Sequence, residues 1–170
     1  KPVLVASPSN VAELTTSTTS TYLAGTLTTG GMGIWALSLE LRSAVALFTD
    51  NVVGRDGFTM LEPMFAAAGV ELEPVWITSA TSASRVESEL ESAGVRDAEL
   101  LILGLDEPGC AAAAEGLAAL GINGTANIVI SASTCLRPGA RAALAEAQGG
   151  TEIPANWHFA TNGFNPFEQT

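Results

Sequence analysis

Leu100-Leu101-Ile102-Leu103-Gly104-Leu105-Asp106-Glu107-Pro108 is an apolar run of strand length that stops at two carboxylates and a proline. Its residues do not alternate with polar ones, and helical patterns lie on either side of it. That combination predicts a central strand of a parallel sheet, covered on both faces. Asp106 and Glu107 then leave the strand at its carboxyl end, the edge where loops gather and ligands bind in open α/β sheets.

Towards the carboxyl terminus, Pro108 suits the first position of a helix that turns Ala113, Leu117 and Leu120 inward. Ile128–Ile130 is the next strand and runs into Ser131-Ala132-Ser133-Thr134-Cys135. Pro138 starts a last helix through Ala147, and Asn156–Ala160 is a final strand. Towards the amino terminus, Ser84-Arg85-Val86-Glu87 has capping-box spacing before a helix with Val86, Leu90 and Ala93 on its buried stripe. Val70–Ile77 is a strand. Phe58, Leu61, Phe65 and Ala68 mark a helix that Pro63 should kink or delay. Ala44–Thr49 is an apolar strand ending at Asp50-Asn51. Gly30-Gly31-Met32-Gly33 reads as a flexible joint before a helix with Met32, Trp35, Ala36 and Leu39 on its apolar face. No Lys-Ser or Lys-Thr follows these glycines, so they do not form a P-loop, and they lack dinucleotide-binding spacing. Before them, Thr21–Leu27 is a weak strand, Asn10–Ser20 a solvated loop, and Lys1–Ser7 a strand.

Three helix-to-strand joints share one pattern: Ala68-Gly69-Val70, Ala93-Gly94-Val95 and Leu120-Gly121-Ile122. In each, glycine can take the left-handed cap conformation while the next aliphatic residue packs back on the helix. Strands alternating with helices imply right-handed crossovers. The expected fold is therefore α/β, a doubly wound parallel sheet in three αβα layers.

The 170 residues suffice for one sizeable core. A net charge of −11 opposes binding to a phosphate backbone, so nucleic acid is not an expected partner. The chain opens at Lys1-Pro2-Val3 without an initiator Met or the pattern of a signal peptide, which reads as a processed, truncated or excised chain. Cys110 and Cys135 lie in no metal-binding spacing, and no cofactor or metal is expected. They do fall at the same edge if their strands are neighbours, which makes a Cys110–Cys135 disulfide conceivable when the α-carbons approach within about 7 Å.

That edge also collects Asp50-Asn51, Thr78-Ser79, Asp106-Glu107 and Ser131–Thr134, hydroxyls and carboxylates with little basic charge. Such a set suits a neutral or zwitterionic polar ligand, although Asp50 reads more simply as a helix cap. Asn51 stands beside it, and Ser131 and Ser133 leave a strand on one face as candidate ligand contacts. His158, the single histidine, reads as structural. Ser131 and Ser133 lie in no GxSxG elbow, and Asp106 and Glu107 point apart, so no catalytic group is identified and the chain reads as a non-enzyme. A flavodoxin-like enzyme or a receiver domain using Asp50 is an alternative. The receiver would need more acids near Asp50 and a lysine on a later strand, whereas the single lysine is Lys1.

The order of motifs resembles the type I periplasmic solute-binding proteins, in particular the branched-chain amino acid (Leu/Ile/Val) binding family of ABC importers. The resemblance rests on Lys1–Asn10 with Glu13-Leu14-Thr15, on Ala44–Gly57, on Phe65–Val70 and on Leu101–Gly104. It implies a flavodoxin-like strand order and a two-lobed clamp that captures a small polar solute, an amino acid or an amide-like molecule, and delivers it to a membrane permease. Residues 1–28 would be a remnant of the first lobe and crossover, 29–160 the second lobe, and 161–170 a return segment. The implied location is periplasmic or extracytoplasmic, reached by secretion or a lipid anchor through a signal outside this chain. A ligand-sensing domain of a receptor or regulator shares the fold and is an alternative.

By the same resemblance Ser7 and Ser9 hold a ligand carboxylate from the first lobe. Val53, Asp106 and Ser133 stand where amino acid binders carry two aromatics and an amine-gripping acid. That departure leaves an aliphatic amino acid, with Asp106 taking over the amine contact, and another small polar ligand, such as an amide, urea or polar amino acid, as equal alternatives.

Overall fold

In the computed structural model, the described residues are 4–5, 19–20, 24–122, 127–147, 149–150 and 153–160. A two-stranded parallel pair, β1 (Leu4–Val5) and β2 (Thr19–Ser20), precedes the main body. There follow α1 (Ala24–Leu37), β3 (Ser43–Thr49), α2 (Val52–Ala68), β4 (Glu71–Ile77), α3 (Ala83–Ser92), β5 (Leu100–Gly104) and α4 (Glu107–Ala119). The chain continues through β6 (Ile128–Ala132), a 3-10 turn (Ser133–Leu136), α5 (Pro138–Ala147) and β7 (Trp157–Ala160).

The five strands from β3 onward form one all-parallel sheet in the order β4-β3-β5-β6-β7. This is the flavodoxin-like order of a doubly wound fold. β5 lies at its centre, and Leu100–Leu103 are all fully buried, as an uninterrupted apolar run requires when helices cover both faces. Alternate residues serve opposite cores. Leu101 and Leu103 join Val45, Leu47, Val129 and the inner sides of α3, α4 and α5. Leu100 and Ile102 join Ala44, Ala46, Phe48, Ile130 and the inner sides of α1 and α2.

The three glycine joints close as their sequence suggests. Gly69, Gly94 and Gly121 have φ of 72°, 73° and 73°, and the amides of Val70, Val95 and Ile122 reach back to the carbonyls of Phe65, Leu90 and Leu117. Gly149-Gly150 repeats the device after α5, with the Gly150 amide bonded to the Ala145 carbonyl, an ending the aliphatic signature did not reveal. The left-handed residue lets two orphan helix carbonyls find donors while the chain reverses towards the next strand.

Several local expectations need correction. Of the strand expected over Thr21–Leu27, the part from Ala24 is helical, because α1 begins there and runs unbroken through Gly30, Gly31 and Gly33, and Thr21, Tyr22 and Leu23 lie outside the described residues. All three are helical rather than a joint, and Gly30 and Gly33 are packing positions. A Cβ on Gly33 would lie 2.7 Å from Leu61 Cδ2, so its small size is what lets α1 approach α2. Pro63 does not delay α2, which continues from Val52 past it. Ser82, not Ser84, caps α3 by accepting the Arg85 amide, since Ser84 already lies within the first turn. Asp50 is not the cap of α2. Asn51 takes that place, and Asp50 pairs with Arg55 at 2.8 Å. Of the Lys1–Ser7 strand only Leu4–Val5 falls within the described residues.

Candidate functional site

At the carboxyl ends of β3 and β5 the connections diverge: α2 packs on one face of the sheet and α4 on the other. A crevice necessarily opens where neighbouring strands send their loops to opposite sides, and this is the usual ligand position in open α/β sheets. Here the crevice is a cleft of about 490 Å³. Its floor is Phe48, Thr49, Gly104 and Leu105. Asn51, Val53 and Gly54 form one wall, Ala132, Ser133, Thr134 and Arg137 the opposite one, and Asp106 stands between them. Thr28, Thr29 and Met32 of α1 close the side.

The floor depends on a missing side chain. Gly104 pairs in register with Phe48, so a side chain there would share the face occupied by the Phe48 ring. An added Cβ would lie 2.1 Å from Phe48 Cε1. The ring, 2% exposed, also meets Phe58 and Trp76 at centroid distances of 6.3 Å and 6.1 Å. Gly54 is required for a different reason, because a Cβ there would lie 2.0 Å from the Thr49 carbonyl oxygen. That contact permits the tight turn from β3 into α2.

The polar groups are divided between holding the turns and facing the cleft. Asn51 Oδ1 accepts the Gly54 amide at 2.9 Å and caps α2, which turns its amide nitrogen into the available donor. Asp106 caps α4: Oδ1 accepts the Gly109 amide at 3.0 Å, and Oδ2 accepts the Ser79 hydroxyl. The Asp106 amide donates to Thr49 Oγ1 at 3.1 Å, joining the ends of β3 and β5. Thr134 donates to the Leu105 carbonyl at 2.8 Å. Arg137 stands at the rim with its side chain 64% exposed, and its guanidinium lies 4.0 Å from Glu107. The Glu107 carboxylate is itself committed to the Gly139 amide at 3.0 Å.

A disulfide joins Cys110 to Cys135, with α-carbons 5.3 Å apart. Both cysteines are buried. The link ties the first turn of α4 to the 3-10 turn that carries Ser133 and Thr134, and so braces one wall of the cleft against its centre. Arg137 follows two residues later, where Pro138 favours extended backbone at the preceding residue, and its ψ is 151°.

Among the residues singled out from sequence, Asn51, Val53, Asp106 and Ser133 line this one cleft. Ser131 does not. It is fully buried, its hydroxyl directed to the Ala132 carbonyl at 3.3 Å, because strand alternation turns it away from the cleft into the layer beneath. Ser7 and Ser9 lie outside the described residues. His158 packs on Trp35 with ring centroids 4.8 Å apart, away from the cleft. Sequence reasoning missed Arg137, Phe48, Thr49, Gly104 and the α1 contacts. Thr49 was adjacent to a recognised turn and was recoverable. Arg137 and the residues of α1 reach the cleft only through tertiary packing. Among the described residues no group of three or more His, Cys, Asp or Glu side chains is placed to hold a metal ion. None of the described helices is long and apolar enough to cross a membrane.

No protein-family model and no curated protein sequence matches the chain. Solved structures do match it. A candidate branched-chain amino acid ABC transporter from Rhodospirillum rubrum aligns over 86% of this chain and 42% of its own, with a TM-score of 0.68 and 14% identity. An ABC transporter permease from the Pseudomonas fluorescens group aligns over 86% and 37%, with a TM-score of 0.67 and 11% identity. A solute-binding protein of an ABC transporter from Rhodopseudomonas palustris BisB5, in complex with 3,4-dihydroxybenzoic acid, aligns over 69% and 32%, with a TM-score of 0.57 and 16% identity. At these identities the likeness is one of fold, that of a periplasmic-binding-protein lobe, and the chain spans less than half the length of each of these proteins.

Proposed function

We propose that this chain is most of one lobe of the solute-binding component of an ABC importer. The observation that carries this reading is the cleft at the switch point of the sheet, open on one side, in a fold shared with part of such proteins. Val52 and Val53, two of the three large apolar side chains left exposed among the described residues, stand at or beside its rim. An apolar rim beside an open cleft suits a surface that a second lobe covers on closure.

On this reading residues 29–160 are the second lobe, residues 1–28 and 161–170 belong with the first lobe and the crossings between them, and Ser7 and Ser9 contact the solute from that side. Asn51, Val53, Asp106 and Ser133 face it from this lobe. The solute is small and polar, an amino acid or an amide-like molecule, and it passes to a membrane permease. The buried disulfide supports an extracytoplasmic location, where such bonds form and persist.

The test is a calorimetric titration of the two-lobed parent protein with amino acids, amides, urea and small organic acids, with this chain in parallel. Micromolar binding of one class by the parent, about −8 kcal/mol, with much weaker binding by this chain alone, is expected of a clamp that excludes water when it closes. Absence of any heat of binding across the panel would remove the transport reading.

A further inference from the structure

The hydrogen-bonding capacity of the cleft is lopsided. Four of its acceptors are engaged in holding the turns: Asn51 Oδ1 by the Gly54 amide, Asp106 Oδ1 by the Gly109 amide, Asp106 Oδ2 by the Ser79 hydroxyl, and Thr49 Oγ1 by the Asp106 amide. The Thr134 hydroxyl is likewise given to the Leu105 carbonyl, but two nitrogen donors are not so committed. The Asn51 amide nitrogen is left over by the cap that its oxygen makes. The Arg137 guanidinium has its charged partner, Glu107, at 4.0 Å, beyond hydrogen-bonding distance. A guanidinium offers five donors in a planar fork that matches a carboxylate.

We propose that the solute presents a carboxylate to this lobe, that Arg137 is the residue which selects it, and that Asp106, although it was the expected amine contact, serves to build the wall. The inference rests on the solute-binding reading above and replaces its amino acid or amide-like solute with an acid. Asn51 follows β3 and Arg137 follows β6, two strand spacings or about 10 Å apart across the sheet. Between them the floor is apolar, with the Phe48 ring lying where Gly104 leaves room. The solute that fits is a small organic acid with an apolar body, its carboxylate on Arg137 and a hydrogen-bond acceptor towards Asn51. A cationic amine would meet the Arg137 charge and would find only the second lone pairs of Asp106 oxygens that each already accept a bond.

The test follows the side-chain resonances of Arg137 (Nε–H) and Asn51 (NH2) in nitrogen-15-labelled full chain. The probes are 4-hydroxybenzoate and butyrate, each beside its amide and its amine, which keep shape while changing charge. The acids are expected to shift the Arg137 resonance and to bind at least tenfold more tightly than the matching amides, with the amines weakest. Arg137→Gln should remove that tenfold preference while leaving the weak amide binding, and Arg137→Lys should restore part of it. The side chain is largely exposed, and an unchanged backbone spectrum will verify the fold of each variant. Equal binding of acid and amide, or tightest binding of the amine, overturns the acid assignment while the cleft remains a solute site. If no probe moves any resonance of the cleft, this inference falls, whereas the solute-binding reading is decided separately by the titration of the two-lobed parent protein.

Discussion

Gly104→Ala is the perturbation that most directly tests how the cleft floor is built. The new Cβ would lie 2.1, 2.3 and 2.8 Å from Cε1, Cδ1 and Cζ of Phe48, against an ordinary carbon contact of about 3.5–4.0 Å. Retreat is blocked behind the ring, where a Cβ on Gly57 would already lie 3.1 Å from the same Cε1, so α2 sits close against it. The ring must therefore strain or leave its site. Losing a buried aromatic side chain costs about 1.5–3 kcal/mol, and overpacking about 1–3 kcal/mol. Replacing glycine recovers about 0.4–1 kcal/mol through the unfolded chain. Since strain and expulsion are alternatives in part, the net expected loss is about 3 kcal/mol. Urea unfolding of the four species of a double-mutant cycle with Phe48→Ala measures it, because without the ring the added methyl has space. There Gly104→Ala should be neutral or slightly stabilising, giving a coupling of about 3 kcal/mol. A single-variant loss below about 1 kcal/mol, or the same loss with and without Phe48, would refute the argument.

Gly54→Ala should be at least as damaging, about 3 kcal/mol or more, because the atom met at 2.0 Å is the Thr49 backbone oxygen and cannot rotate away. A urea midpoint equal to that of the parent chain would show the turn to be looser than described. Replacing both Cys110 and Cys135 by alanine opens a link of sequence separation 25, and the chain-entropy model puts the loss at about 3.5 kcal/mol. The accompanying mass measurement is simple: alkylation of the native chain without reductant should leave its mass unchanged, and reaction of both thiols would contradict the bond. Asp106→Ala should cost about 1–2 kcal/mol by stripping the α4 cap, whereas Asp106→Asn, which keeps an acceptor for the Gly109 amide, should stay within about 0.5 kcal/mol. Equal losses for the two would mean that the charge, not the cap, holds that turn.

The layer order of this protein was legible in its sequence because the decisive signals are local. An unbroken run such as Leu100–Leu103 has no polar face to offer water, so it must be central. A glycine followed by an aliphatic residue after a helical stripe needs only its own preceding turn to form the cap, and Gly69, Gly94 and Gly121 do so. The polar ends of the strands followed from the same reasoning, so Asn51, Asp106 and Ser133 were singled out, Val53 was added by the family resemblance, and the four line one cleft.

What failed in the sequence depends on neighbours far along the chain. Gly30 to Gly33 look like a hinge in isolation, and the side chains of Met60, Leu61 and Met64 on α2 are what make Gly30 and Gly33 contact positions within a helix. Gly104 looks like the slack end of a strand until Phe48 is placed beside it by register. Ser131 and Ser133 share a strand-period face on paper, but the 3-10 turn begins between them and separates the buried one from the one lining the cleft. Arg137 becomes a cleft residue only because the Cys110–Cys135 link and the Thr134 hydrogen bond hold its turn over β5. Local pattern thus determined which segments are strands and helices and which edge carries the site. Tertiary packing decided which side chains face the cleft and which groups remain free to bind, because both depend on what the neighbouring elements have already occupied.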